Sequence, residues 1–162
     1  MANPAYMSIE GRVQGLISSG CSTQESVGNR SQLDQINEIM VLSYSHNMSN
    51  FGKRNHNPFV ITKGLDKSSP LLAQALSSGE KLTCVLKLYR TTPQGSQENY
   101  YTVRLKSAVI VDITSELPHV IDQNDLEAYE MIAFKYGEIE WQHNSAGTSG
   151  IDAWKNMVQQ YE

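Results

Sequence analysis

Charge is scarce in this sequence. Only 19% of its 162 residues are Asp, Glu, Lys or Arg, and the net charge is −4. That balance offers none of the clustered basic surface that nucleic-acid binding needs, so no nucleic-acid partner is expected. Cysteine is nearly missing. Cys21 and Cys84 cannot make a disulfide framework; a bridge between them stays open, while Cys84, in an apolar run, suits a buried thiol. No window approaches the ~20 consecutive apolar residues of a membrane-spanning helix, so no membrane insertion is expected. The start, Met1-Ala2-Asn3-Pro4-Ala5-Tyr6, has no basic segment followed by an apolar core and is not a secretory signal. The expectation is a protein made in the cytosol that, if exported, leaves by a route reading no cleaved signal peptide.

Catalytic patterns are missing as well. Ser78-Gly79-Glu80-Lys81 lacks the glycine spacing of a phosphate loop, and Gly20-Cys21-Ser22 lacks the second glycine of a nucleophile elbow. His46, His56, His119 and His143 are scattered, none at metal-ligand spacing with another His or Cys. Asp122, Asp125 and Glu127 share a loop without calcium-loop spacing. No catalytic, cofactor-binding or metal residue is therefore assigned, no cofactor is expected, and the chain is not read as an enzyme. A small β-barrel hydrolase with a composite site around His119 or His143 is the alternative from a different class.

What is present is β-structure and one clear helix. A chain of this length is most simply one domain, and it buries roughly 68–70% of its unfolded surface without a metal or a disulfide. Ser69 is a suitable N-cap, Pro70 fits the first helical position, and Gly79 fits a left-handed C-terminal residue, which predicts a helix over about 69–78. Leu71, Leu72, Ala75 and Leu76 make its apolar face. Strands are predicted for Tyr6–Glu10, Val13–Ser18, Gln35–Met48, Phe59–Lys63, Lys81–Arg90, Tyr100–Val111 and Met131–Gln142, with Ile151–Trp154 closing the sheet. Within Gln35–Met48, Ile36, Glu38, Met40, Leu42, Tyr44, His46 and Met48 form a face expected to meet the core. Ile39, Val41, Ser43, Ser45 and Asn47 form the other, which ends small and polar as a wet lining would. The phase of Met131–Gln142 changes at Gly137, which predicts a β-bulge there. So many short strands indicate a closed or sandwich-like β-fold.

Residues 49–58 form a polar loop, long for a hairpin. With Asn50, Phe51, Lys53, Arg54 and His56 it is a candidate contact with a partner. Phe51, Tyr101 and Trp154 are candidate aromatic contacts in an assembling protein.

Several blocks carry a resemblance. Asp66-Lys67-Ser68-Ser69-Pro70-Leu71-Leu72-Ala73, preceded by Phe59–Lys63 and followed by Gly79-Glu80-Lys81-Leu82, is one. Lys135-Tyr136-Gly137-Glu138-Ile139-Glu140-Trp141-Gln142-His143 with Ala146-Gly147-Thr148-Ser149-Gly150 is another, and Gln14-Gly15-Leu16-Ile17-Ser18-Ser19-Gly20-Cys21-Ser22 a third. Together, from Met1 to about Trp154, the chain resembles the hemolysin-coregulated protein (Hcp) family, the tube protein of type VI secretion. The resemblance implies a mainly β fold, a compact β-barrel of two antiparallel sheets with one flanking α-helix. It implies a single tube domain over 1–162, with 155–162 as a C-terminal tail. It also implies homohexameric rings with a central channel, stacked into a tube that sheath contraction expels with a spike protein of the VgrG type. The implied partners are other copies of the chain, that spike, contractile sheath proteins and small effector proteins carried in the channel. The implied localisation is cytoplasmic before firing and extracellular after it. Ser43, Ser45 and Asn47 are the candidate channel lining, and residues 47–58 match the family's extended loop that reaches a neighbouring subunit or ring. A phage-type tail tube subunit is the same architecture in another setting.

Overall fold

The computed structural model describes residues 3–28 and 34–153. The expectations placed on Trp154 and on residues 155–162 lie outside that span. The strands are β1 (Ala5–Gly11), β2 (Gly15–Leu16), β3 (Ile39–Ser45), β4 (Met48–Asn50), β5 (Arg54–His56), β6 (Phe59–Gly64), β7 (Leu82–Thr91), β8 (Gln97–Glu116), β9 (Tyr129–Lys135), β10 (Glu138–His143) and β11 (Thr148–Ala153). The helices are α1 (Gln24–Val27) and α2 (Ser69–Ser78).

All pairings are antiparallel. The order β8-β7-β1-β3-β6-β9 returns to β8, because β8 pairs with β9 as well as with β7. A barrel results, and closing it leaves no exposed edge along that circuit. β10 and β11 continue outward from β8. β11, which holds residues 151–153 of the predicted closing strand, thus adds a strand to the outer edge, and the barrel is closed instead by β8 against β9.

The 20-residue β8 makes this possible. Its first half pairs with β7 on one side and β10 on the other, and its second half pairs with β9. The change falls at Ser107, whose φ is 51°. Gly137 lies opposite, and a Cβ there would come 3.1 Å from that of Ser107, tighter than ordinary contact, so glycine eases the close approach. The register runs unbroken from Lys135↔Val109 to Glu138↔Lys106. The phase change at Gly137 is therefore not a bulge. Both strands turn their faces over together: Phe134 and Ile110 are buried before it, Ile139 and Leu105 after it. The irregularities lie against other partners, between Leu82 and Cys84 with β7 and between Ile110 and Asp112 with β9.

Alternation supplies the core. Met7, Ile9, Ile39, Ile61, Leu86, Leu105, Ile132 and Phe134 are fully enclosed, each side chain contributing about 1.5–3 kcal/mol by leaving water. α2 adds Leu72 and Ala75, while Leu71 and Leu76 are partly exposed. The helix ends as its sequence implies, with the Gly79 N–H donating to Ala75 O. Its start differs by one residue. Ser68 is the capping position, and the Ser69 hydroxyl instead accepts from the Asp66 N–H and donates to Glu130.

In β3 the predicted core face holds for only half the strand. Ile39 and Val41 are buried and Leu42 is exposed. The register then shifts between Val41 and Ser43. Beyond that bulge the phase inverts: Tyr44 stacks on Phe59 at 5.3 Å but stays exposed, as does Met48 of the predicted core face, and Ser43 and Ser45 are exposed on the opposite side.

Candidate functional site

The polar segment between β3 and β6 is not an irregular loop. β4 and β5 pair as a two-stranded hairpin, Met48↔His56, Ser49↔Asn55 and Asn50↔Arg54. Asn47 belongs to its base, where the Asn57 N–H donates to the Asn47 carbonyl and the Asn57 amide to Asn47 Oδ1. At the tip the Asn50 side chain accepts from Gly52 N–H. Phe51 is 94% exposed, and Lys53 is exposed beside it.

A polar clasp ties this hairpin to the barrel. Arg54 lies 2.5 Å from Asp152 Oδ1 and donates to the Ala153 carbonyl. His56 Nε2 lies 2.8 Å from Asp152 Oδ2, and its Nδ1 lies 2.6 Å from the Tyr136 hydroxyl. The same hydroxyl lies 2.7 Å from His46 Nε2. A carboxylate only accepts, so His56 carries its proton on Nε2. With both imidazoles neutral, the Tyr136 O–H donates to His56 Nδ1 and its oxygen accepts from His46 Nε2–H. Protonating both rings would aim two N–H donors at one hydroxyl and leave its own proton without an acceptor. Burial, and then the neighbouring His56, hold His46 below the usual histidine range. Burial pushes the Tyr136 phenol far above its ordinary value, with Asp152 adding to the effect. A phenol held neutral in this way keeps its O–H as a hydrogen-bonding strut between the hairpin base and the barrel. The cluster has no local signature in the sequence, because its members come from β5, β11 and the segments following β3 and β9.

The outward faces of the barrel differ in chemistry. Across β3, β6, β9 and β8, Ser43 lies opposite Thr62, then Met131, then Thr114; Ser45 lies opposite Val60, then Ala133, then Asp112. One carboxylate appears among these eight positions. The outward side of β8 and β10 is instead crossed by ion pairs, Arg104–Glu140 at 3.1 Å and Lys106–Glu138 at 3.3 Å, and Lys87 of β7 reaches Glu38, just ahead of β3, at 3.6 Å.

His119 and His143 lie in separate turns. His119 Nδ1 accepts from the Asp122 N–H, and His143 Nδ1 from the Ala146 N–H, each inside its own turn. Among the described residues, no group of three or more His, Cys, Asp or Glu side chains is placed to hold a metal ion. Both cysteines are free and buried, and burial raises the Cys21 thiol to about 11.

The family described as "Type VI secretion system effector, Hcp" matches residues 6–143. The "Major exported protein" of Pseudomonas aeruginosa strain PAO1 is 44% identical, over 98% of this chain and 99% of that one. The chain belongs to the Hcp family. Solved Hcp structures agree. "Crystal structure of Hcp protein" superposes with a TM-score of 0.90 at 38% identity, covering 94% of this chain and 98% of that one. "Secreted protein Hcp3 from Pseudomonas aeruginosa" gives 0.85 at 45% identity, covering 93% and 99%. The Hcp-type barrel with its flanking helix is thus the fold of this chain, and type VI secretion is its setting.

Proposed function

We propose that this protein is the ring-forming subunit of a type VI secretion inner tube. In this reading six copies close a ring, rings stack inside a contractile sheath behind a spike of the VgrG type, and small effector proteins ride in the channel. The tube is built in the cytoplasm and expelled when the sheath contracts. Head-to-tail closure needs two different complementary faces on each subunit.

The observation that carries the reading is the contrast between the two outward faces. The Ser43/Thr62/Met131/Thr114 and Ser45/Val60/Ala133/Asp112 rows are small and nearly uncharged, which suits a wide channel that must release varied cargo. The salt-bridged side suits lateral contact or solvent. Size-exclusion chromatography with light scattering tests ring formation, with a mass of six 18.1 kDa chains expected. A monomer across the working concentration range overturns it. Ser45→Trp tests the lining: rings should persist while effector retention changes, and unchanged retention rejects Ser45 as a channel residue.

A further inference from the structure

The outward face of β3, β6 and β9 ends in a cleft. Alternation along β6 buries Phe59, Ile61 and Lys63 and turns Thr62 and Gly64 outward. Gly64 has no side chain, so it leaves a gap in its row. Tyr129 of β9 lies opposite it on one side, and on the other is Met40, one residue before the Val41↔Lys63 pair. Val27, Leu42 and Leu65 raise the walls of a cleft of about 170 Å³. Leu42 and Leu65 are both partly exposed. The charged residues lining it are Asp66 and Glu127, with no Lys, Arg or His among its described lining.

Asp66 connects this cleft to the buried cluster beneath it. Its side chain is only 4% exposed. Among the described residues its Oδ1 takes every bond the carboxylate makes: from Lys63 Nζ at 3.0 Å, from the Ser68 N–H at 2.9 Å and from the Ser68 hydroxyl. Oδ2 is left to the cleft. The cluster is also one positive charge short, because Lys63 faces both Asp66 and Glu130. Enclosed carboxylates in excess of their cations favour a further cation at the one side that is open.

We propose that this cleft is a socket for a lysine or arginine side chain of a cargo protein. The cationic head pairs with Asp66 Oδ2, and the aliphatic stem lies against Val27, Leu42 and Leu65. The proposal rests on the ring-subunit reading, because the cleft opens on the outward face that carries Ser43, Thr62 and Met131. It names the chemistry by which that face holds what it carries. One socket holds weakly and lets go quickly. The sockets of one ring act together on a cargo with several basic side chains, since each contact raises the effective concentration for the next.

NMR of the full-length protein, labelled at its Val, Leu and Met methyl groups, tests the socket. The probe is a short glycine–serine peptide with one central arginine, compared with its citrulline counterpart, which keeps the shape and loses the charge. The arginine peptide should shift the methyls of Val27, Met40, Leu42 and Leu65, saturating in roughly the millimolar range expected of one side chain. The citrulline peptide should bind about tenfold more weakly. Equal binding by the two, or no shift at those methyls, overturns the proposal. Leu42→Trp fills the cleft without touching the Asp66 cluster and should abolish the shifts; binding that survives places the peptide elsewhere and overturns the socket. A peptide with three arginines on long glycine–serine linkers should bind at least about tenfold more tightly than the single-arginine peptide. No gain means that the sockets do not share one channel, which removes cargo as the occupant. Light scattering separates the two failures. Hexamers that do not bind reject the socket alone, and binding to a protein that forms no hexamers rejects the ring reading and cargo with it.

Discussion

Lys63 offers the sharpest test of how the barrel holds its helix. Its side chain is fully buried, and its ammonium lies 2.5 Å from Glu130 Oε1, 3.0 Å from Asp66 Oδ1 and 3.2 Å from Ser69 Oγ. One cation on β6 balances two nearly buried carboxylates, one on β9 and one just ahead of α2. Lys63→Met removes that cation and leaves both carboxylates facing each other out of water. Breaking a buried pair by deleting one partner costs about 3–5 kcal/mol. Each kcal/mol moves the melting point of a chain this size by about 2–4 °C, so a fall of about 6–20 °C is expected. Glu130→Gln should cost less, about 1–3 kcal/mol, since Asp66 still pairs with Lys63 and the new amide oxygen still accepts from Ser69. The triple change Lys63→Met, Asp66→Asn and Glu130→Gln removes every charge and should regain a large part of the loss, because buried ion pairs are often replaceable as a unit. Guanidinium unfolding followed by tryptophan fluorescence measures all three, at one fixed protein concentration because assembly adds to apparent stability. A Lys63→Met protein within about 1 kcal/mol of the parent, no worse than a surface change, would refute the reasoning.

Other consequences follow from the clasp and from the β1–β2 turn. His46 is held below the histidine range, so between its folded and unfolded values the unfolded chain binds more protons and stability rises with pH. The stabilisation is complete above the unfolded value of about 6.5 and is lost as pH falls toward the folded one. Unfolding midpoints measured from pH 7.5 to 5 should show this slope, and His46→Asn should flatten it; an unchanged slope rejects the clasp as its source. Tyr136→Phe removes the shared hydroxyl and should speed hydrogen exchange at the base of the β4–β5 hairpin while leaving the barrel amides protected. Gly11→Ala drives a Cβ into Glu80 Oε2. It should displace the carboxylate that accepts from the Gln14 and Val13 N–H groups and lower the melting point; a neutral result means that the turn does not depend on Glu80.

Local signals made part of this molecule legible in its sequence. Pro70 and Gly79 bracket α2, and alternation finds the strands, because both depend on neighbours a few residues away. The long loop reads as irregular in the sequence because β4 and β5 are three residues each and carry no apolar alternation. Alternation alone misplaces the buried face of β3 between Ile39 and Leu42, because the bulge before Ser43 depends on its pairing with β6. The clasp was invisible for a related reason: His46 and Tyr136 are 90 residues apart, and His56 and Asp152 are 96 apart. Lys63 alternates like any strand residue, and only the fold brings Glu130 to it. The candidate residues Ser43 and Ser45 share one outward face, whereas Asn47 sits at the hairpin base and Arg54 and His56 are anchors beneath the tip.

The account turns on ring formation, and negative-stain electron microscopy of the purified protein tests it most directly. Six-fold rings with a stain-filled centre, some seen edge-on as short stacks, are predicted. A field of compact single particles the size of one 18.1 kDa barrel at the same concentration would contradict it.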